Sequence, residues 1–267
     1  MWGFDWKPTA KPAGDLPMWR EWFALAEAAL LHLSPLYWGL GAPHGDGSPV
    51  ILIPGFLGTD AFMAEFYAWL HRMDYRPYFS GIKINNDCPN LVIKGALKAT
   101  LDRALDETGK KAHLIGHSLG GLIALSLAGQ RPEDVASVIT LGAPFRGNVM
   151  HPNICKMVEY VKSMIQARHG DGVLPVCYTC ECPCDFVNTL TRAMPENVQM
   201  TAIYTRTDGI VDWSYCVTGN PEMDFEAPGT HIGMVLNPSV YAIVARRLAV
   251  ARERTRRAVA TEELVHA

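Results

Sequence analysis

The sequence predicts an α/β fold built on a doubly wound, mostly parallel sheet. Two observations lead there. Short β-branched runs that end near glycine alternate with helix-like stretches of about ten or more residues. The 267 residues, 49% of them apolar, are also enough to bury one large core, so a single domain with insertions fits the length.

The elements follow in order. Pro49 to Phe56 (PVILIPGF) reads as a buried strand and a turn. Thr59 to Met73 carries apolar residues at helical spacing behind a Thr suited to cap it. Tyr75 to Ile84 is a second strand, with its proline near the start, where a strand tolerates one. Leu91 to Gly109 is an amphipathic helix closing on glycine. KKAHLIGHS is a third strand and LGGLIALSLAGQ the helix after it; Val135 to Pro144 and Val198 to Thr205 are a fourth and a fifth strand. The irregular stretch from Phe145 to Asn197 is too long for a connector and reads as a lid or cap. The expected layout is therefore an extension over 1–48 packed on a domain over 49–267, with the cap at about 145–197.

Charge and composition narrow the partners. A formal charge of −3 leaves no electrostatic footprint for nucleic acid, and the basic run Arg246 to Arg257 suits the C-terminal end and solvated face of a helix. The N-terminus lacks the basic-then-apolar order of a secretory signal, and the apolar stretch Phe23 to Leu33 is interrupted by Glu27 and His32. It falls short of the roughly 20 residues that cross a bilayer, so the expected location is the cytoplasm. Trp2, Trp6, Trp19 and Trp22 are explained by an arm docked on the core, with transient contact at a lipid interface as the alternative. Of seven cysteines, Cys177, Cys180, Cys182 and Cys184 crowd into CYTCECPC, which is not the paired spacing of a zinc ribbon. A disulfide, a metal clip and buried thiols all stay open, with a structural staple favoured over a redox role.

The chemistry gathers around GHSLG. It fits G-x-S-x-G with a strand before it and a helix after it, the context in which such a serine is a nucleophile. Gly116 and Gly120 let the chain turn sharply, which leaves the Ser118 hydroxyl exposed at a helix N-terminus. A serine needs a base, and the base an orienting acid, in the chain order Ser, acid, His. YTRTDGIVDW offers Asp208 on a turn with Gly209; Asp212 is the second candidate and suits a cap on the next segment. His231 lies in a Gly-rich loop before a helix-like run. His117, beside the serine, points away from the base position, and the remaining histidines fall before the serine, in the cap or in the tail. Oxyanion donors are expected from the N–H groups of Leu119 and, in the IPGFLG loop, Phe56. Leu57, His117 and Phe145 complete the expected substrate contacts, within a largely apolar acyl site.

IPGF, GHSLGG, TDGIV and THIGM together resemble the oxyanion loop, nucleophile elbow, acid loop and histidine loop of the α/β-hydrolase superfamily, and within it the bacterial lipases and carboxylesterases, small triacylglycerol lipases above all. The resemblance runs from about residue 49 to 250 and fades over 1–48 and the cysteine-bearing insertion. It implies the α/β-hydrolase fold and a serine carboxylic-ester hydrolase acting through an acyl-enzyme on Ser118. It also implies an ester or lipid substrate, no cofactor, and no metal ligand among the site residues. The rival readings are another triad-dependent acyl-transfer enzyme (amidase, thioesterase or acyltransferase) and a non-catalytic binding protein on the same fold.

Overall fold

The computed structural model describes residues 7–14, 16–177 and 181–265. In chain order the elements are β1 (Lys7–Pro12), α1 (Ala24–Leu33), β2 (Pro49–Ile53), α2 (Ala64–Arg72), β3 (Arg76–Phe79) and α3 (Pro89–Val92). A π turn (Ile93–Leu97) joins α3 to α4 (Lys98–Thr108). Then come β4 (Ala112–His117), α5 (Leu119–Gln130), β5 (Val135–Leu141), β6 (Gly147–Met150), α6 (Pro152–His169), α7 (Asp185–Leu190), β7 (Gln199–Tyr204), β8 (Asp224–Glu226) and α8 (Pro238–Val265). Six strands form one sheet in the order β3-β2-β4-β5-β7-β8, and each adjacent pair is parallel.

A parallel sheet has to be covered on both faces, and alternation along the strands decides which side chain goes where. Ile51, Ile53, Leu114 and Val138 face one core, with Leu101 of α4, Ile123 of α5 and Val187 of α7. Val50, Leu52, Ile115 and Ile139 face the other, with Leu31 of α1, Trp69 of α2 and Tyr241 of α8. Each such aliphatic side chain, fully buried, contributes about 1.5–3 kcal/mol.

The five expected strands are present, and the sheet gains a sixth, the short β8. Strand β3 stops at Phe79, well before Ile84, because the Asp60 carboxylate takes over the chain there. It accepts from the N–H groups of Ser80 and Gly81 at 3.0 Å each and from the Ser80 hydroxyl at 2.6 Å. The Thr59 side chain forms no cap; the helix opens instead with a tight turn over Asp60–Met63. The helix closing on Gly109 ends as expected, with that glycine at φ +64° and its N–H donating to the Leu105 carbonyl at 2.7 Å. The basic run lies inside α8, which continues to Val265; Arg247 turns inward and donates to Thr201 Oγ1, and Arg257 pairs with Glu253.

Neither the N-terminal stretch nor the insertion suggested a strand, yet β1 and β6 pair in parallel as a separate two-stranded sheet. The arm docks differently from the expectation too. Trp19 and Trp22 are 63% and 80% exposed, and contact with the body runs through Leu31, Tyr37, Glu21 and Glu27. Trp2 and Trp6 lie outside the described residues. Among the described residues no helix is long and apolar enough to cross a membrane.

Two buried histidines on β4 make stability depend on pH. Burial pushes His113 down to about 4 and His117 down to about 3, against an ordinary value near 6.5. Above about pH 6.5 neither state binds these protons. As pH falls below that, the unfolded chain takes up protons that the folded chain refuses, and stability declines toward pH 4. Urea unfolding between pH 7.5 and 4.5 should show this fall. His113→Gln should flatten the slope by up to one proton, about 1.4 kcal/mol per pH unit.

Candidate active site

At the end of β4 the chain reverses into α5 through Ser118, whose backbone is left-handed at φ 51°, ψ −122°. A non-glycine residue held there stores strain, and the packing around the turn fixes it. A Cβ on Gly116 would come within 2.3 Å of the Gly120 carbonyl oxygen, and one on Gly120 within 2.3 Å of the Ile53 carbonyl oxygen. The Ser118 N–H donates to the Leu141 carbonyl at 2.8 Å, which ties the turn to β5. Leu119 opens α5, where the first N–H groups of a helix have no acceptor within it.

The loop after β7 carries Asp208 and the loop before α8 carries His231, and the two side chains meet. His231 Nδ1 lies 2.6 Å from Asp208 Oδ2, with both residues buried. The second oxygen, Oδ1, accepts from the N–H groups of Ile210 and Val211 at 2.8 Å each. Asp212 has a different job: its carboxylate accepts from the Ser214 N–H and hydroxyl and caps a short turn. Burial alone would lower the basicity of His231. The charge of Asp208, the hydrogen bond to it and the charge of Glu21 outweigh that and leave the pKa raised.

His117 sits against this pair. Its Nε2 donates to the His231 carbonyl at 2.9 Å, and its ring lies 4.8 Å from the His231 ring. That bond uses the Nε2 proton, so Nδ1 carries the lone pair; it is buried without a partner.

A cavity of about 320 Å³ brings most of the expected residues together. Ser118, Leu119, His117, His231, Phe56 and Leu57 all line it. Phe145 does not: it is fully buried in the core, and Pro144 lines the cavity in that part of the chain. Ser118 and His231 share the space, and no Ser118–His231 hydrogen bond is formed. Ile154 and Val158 of α6 and Phe186 and Val187 of α7 form an apolar wall that sequence reading left unassigned. The α6 part of the wall lies in the helically spaced segment NICKMVEYV, Asn153 to Val161.

Cys177, Cys182 and Cys184 line the same cavity, joined by Cys88 from the start of α3; Cys180 lies outside the described residues. The six described cysteines outside that gap are free thiols. Cys88 is the more acidic of its pair with Cys177, because the Cys177 thiol hydrogen-bonds to it. Among the described residues no group of three or more His, Cys, Asp or Glu side chains is arranged to hold a metal ion.

A family model described as the alpha/beta hydrolase fold matches residues 48–159. A triacylglycerol lipase of Pseudarthrobacter phenanthrenivorans is 37% identical over 110 residues, which cover 38% of this chain and 34% of that protein. A triacylglycerol lipase of Burkholderia plantarii is likewise 37% identical over 110 residues, covering 38% of this chain and 30% of its own length. The chain thus spans about a third of the length of these curated relatives. Among solved structures, a soluble variant of monoglyceride lipase from Saccharomyces cerevisiae superposes with a TM-score of 0.53 at 13% identity, covering 79% of this chain and 90% of that one. A metagenome-derived lipolytic enzyme superposes at 0.53 with 17% identity, covering 80% and 96%. The chain has the α/β-hydrolase fold.

The glycine packing at the turn can be tested directly. Gly120→Ala drives a methyl into the backbone of β2, which cannot yield, and should cost about 3 kcal/mol or more in urea unfolding. Gly95→Ala, with nothing within 4 Å of the added carbon in a helical stretch, should be neutral or slightly stabilising.

Proposed function

We propose that this α/β-hydrolase-fold chain is a serine carboxylic-ester hydrolase of the esterase/lipase kind, with Ser118 as nucleophile, His231 as base and Asp208 as the orienting acid. One observation carries the reading: His231, held at 2.6 Å by the buried Asp208, lines the same apolar cavity as a serine on a left-handed strand-to-helix turn. His231 Nδ1–H donates to Asp208, so Nε2 carries the lone pair that accepts the Ser118 proton. Rotation of the Ser118 hydroxyl toward Nε2 completes the hydrogen bond when substrate fills the cavity.

Ser118 Oγ attacks the ester carbonyl carbon as its proton passes to His231 Nε2. The N–H groups of Leu119 and Phe56, whose residues border the cavity, stabilise the tetrahedral oxyanion, each by about 3 kcal/mol. His231 returns the proton to the departing alcohol, leaving an acyl group on Ser118. A water molecule, deprotonated by His231, then attacks that acyl carbon and regenerates the serine. In this reading residues 49–267 are the catalytic domain, 1–48 an extension packed against it, and the insertion at about 145–197 a cap whose apolar wall receives the acyl chain. The similarity to triacylglycerol lipases supports an ester or lipid substrate.

Hydrolysis of a chain-length series of p-nitrophenyl esters tests the reading. Wild type should turn over, and Ser118→Ala should lose about 10⁴-fold or more in kcat. Full activity in Ser118→Ala overturns the reading. The base works only as the neutral ring, and its pKa is raised, so the acidic limb of kcat/KM should lie above about pH 6.5. The exposed Trp19, Trp22, Leu25, Leu30 and Leu33 of the extension support transient contact with a lipid surface. Flotation with phosphatidylcholine vesicles should recover the protein, and Trp22→Ser with Leu33→Ser should reduce the recovered fraction.

A further inference from the structure

The acid loop and the histidine loop are held by two carboxylates that come from outside the sheet. Glu21 belongs to the tight turn Met18–Phe23 and Glu27 to α1, and they are only 8% and 7% exposed. Beside the buried Ala24 and Leu31, the polarity of this segment is inverted over much of its surface. Its acids point inward, while Trp22, Leu25, Leu30 and Leu33 face out. Burying a carboxylate is unfavourable unless every oxygen finds donors, so the interior must offer a built receptor for each.

It does. Glu21 Oε1 accepts from the N–H of Gly209 at 2.9 Å and of His231 at 3.2 Å, and Oε2 accepts from the N–H of Ile232 at 2.8 Å. Glu27 Oε1 accepts from the Thr230 N–H at 2.9 Å and the Thr230 hydroxyl at 2.8 Å, and Oε2 accepts from Asn237 Nδ2 at 2.8 Å. The loops leave room for both. A Cβ on Gly209 would sit 2.9 Å from Glu21 Oε1, one on Gly229 2.3 Å from Glu27 Oε2, and one on Gly233 2.4 Å from Glu27 Oε1.

We propose that Glu21 is a positioning residue for the acid–base pair: its carboxylate clamps Gly209, beside Asp208, to His231 and Ile232, and so sets the two loops in register from the N-terminal extension. The proposal rests on the reading of Asp208 and His231 as that pair. Glu21 grips the backbone on both sides of the 2.6 Å contact, whereas Glu27 holds only the histidine loop. The clamp also has an electrostatic consequence. The ionisable groups facing His231 are Asp208 at Nδ1, the neutral His117 ring, and Glu21 across the backbone; Glu27 follows one residue further, at Thr230. Glu21 acts in the same direction as Asp208, favouring the protonated ring. Removing its charge should therefore lower the pKa of the base, a change that loss of packing alone does not produce.

The test uses the full chain and p-nitrophenyl butyrate. Glu21→Gln keeps the size of the side chain and loses its charge and one matched acceptor. It should lower kcat about tenfold or more with KM changed less than about threefold, and shift the acidic limb of kcat/KM to lower pH by several tenths of a unit. Glu27→Gln should lower the melting temperature and leave the limb where it is. Gly209→Ala keeps the Glu21 side chain but sets a carbon 2.9 Å from its Oε1 and 2.8 Å from the Pro17 carbonyl oxygen, and should reproduce the loss of kcat if Glu21→Gln itself folds poorly. An unmoved limb and a kcat that follows only the folded fraction in Glu21→Gln would overturn the proposal, as would an equal limb shift in Glu27→Gln. His231→Asn is the separate control: if it retains wild-type turnover, the acid–base reading itself has failed, whatever Glu21 does.

Discussion

A buried carboxylate–imidazole contact is the constraint around which this molecule is arranged. Taking a carboxylate out of water costs several kcal/mol, recovered only when the geometry is good and each remaining lone pair and proton is matched. Asp208 and His231 meet that condition. One carboxylate oxygen faces the ring and the other takes two backbone N–H groups, while the backbone of His231 is held at its N–H by Glu21 and at its carbonyl by His117. The pair bridges two loops that lie on either side of the short β8. Its geometry is only as good as the elements that aim those loops, and the parallel order β4-β5-β7 delivers the serine turn and the acid loop to the same carboxyl edge of the sheet.

The insertion is tied into the same edge. The His151 N–H donates to the Ile210 carbonyl at 2.7 Å, the Asp212 N–H donates to the Val149 carbonyl at 2.9 Å, and Met150 bridges to Val211. The strand that opens the insertion therefore runs along the back of the acid loop, while α6 and α7 wall the cavity in front of it. Displacement of β6 strains the hydrogen bonds that orient Asp208. An apolar wall close to the serine also keeps the local dielectric low, which strengthens every charge interaction made there.

Much of this was legible in the sequence, because the relevant signals are local. Buried parallel strands announce themselves as β-branched runs, the glycines around Ser118 report a close backbone approach, and Asp208 differs from Asp212 by its turn with Gly209. The parts that escaped depend on contacts distant in sequence. Glu27 was visible as an interruption of an apolar stretch, but its partners are Thr230 and Asn237, about two hundred residues away. Trp19 and Trp22 fit the composition of a docked arm, but the arm docks through Leu31, Tyr37, Glu21 and Glu27 instead. Strands β1 and β6 are short and pair only with each other, so neither carries the double-sided apolar pattern of the main sheet. Phe145 follows a strand as a pocket residue would, but one step along the chain separates the cavity wall at Pro144 from the core.

The inverted polarity of the N-terminal segment joins folding to assembly of the site. Helix α1 buries Ala24 and Leu31 but faces Leu25, Leu30 and Leu33 outward and Glu27 inward, so its docking depends in part on the receptors built by the acid and histidine loops. Those loops depend on it in turn. Without Glu21 the buried N–H groups of Gly209 and His231 lose their acceptor, at about 1–3 kcal/mol for each one left unsatisfied, and the part-buried N–H of Ile232 loses its own. Neither side is satisfied alone, and the arrangement that satisfies both is the one in which Asp208 lies against His231. The extension is thus part of the same cooperative unit as the carboxyl edge of the sheet, although none of its described side chains lines the cavity at Ser118.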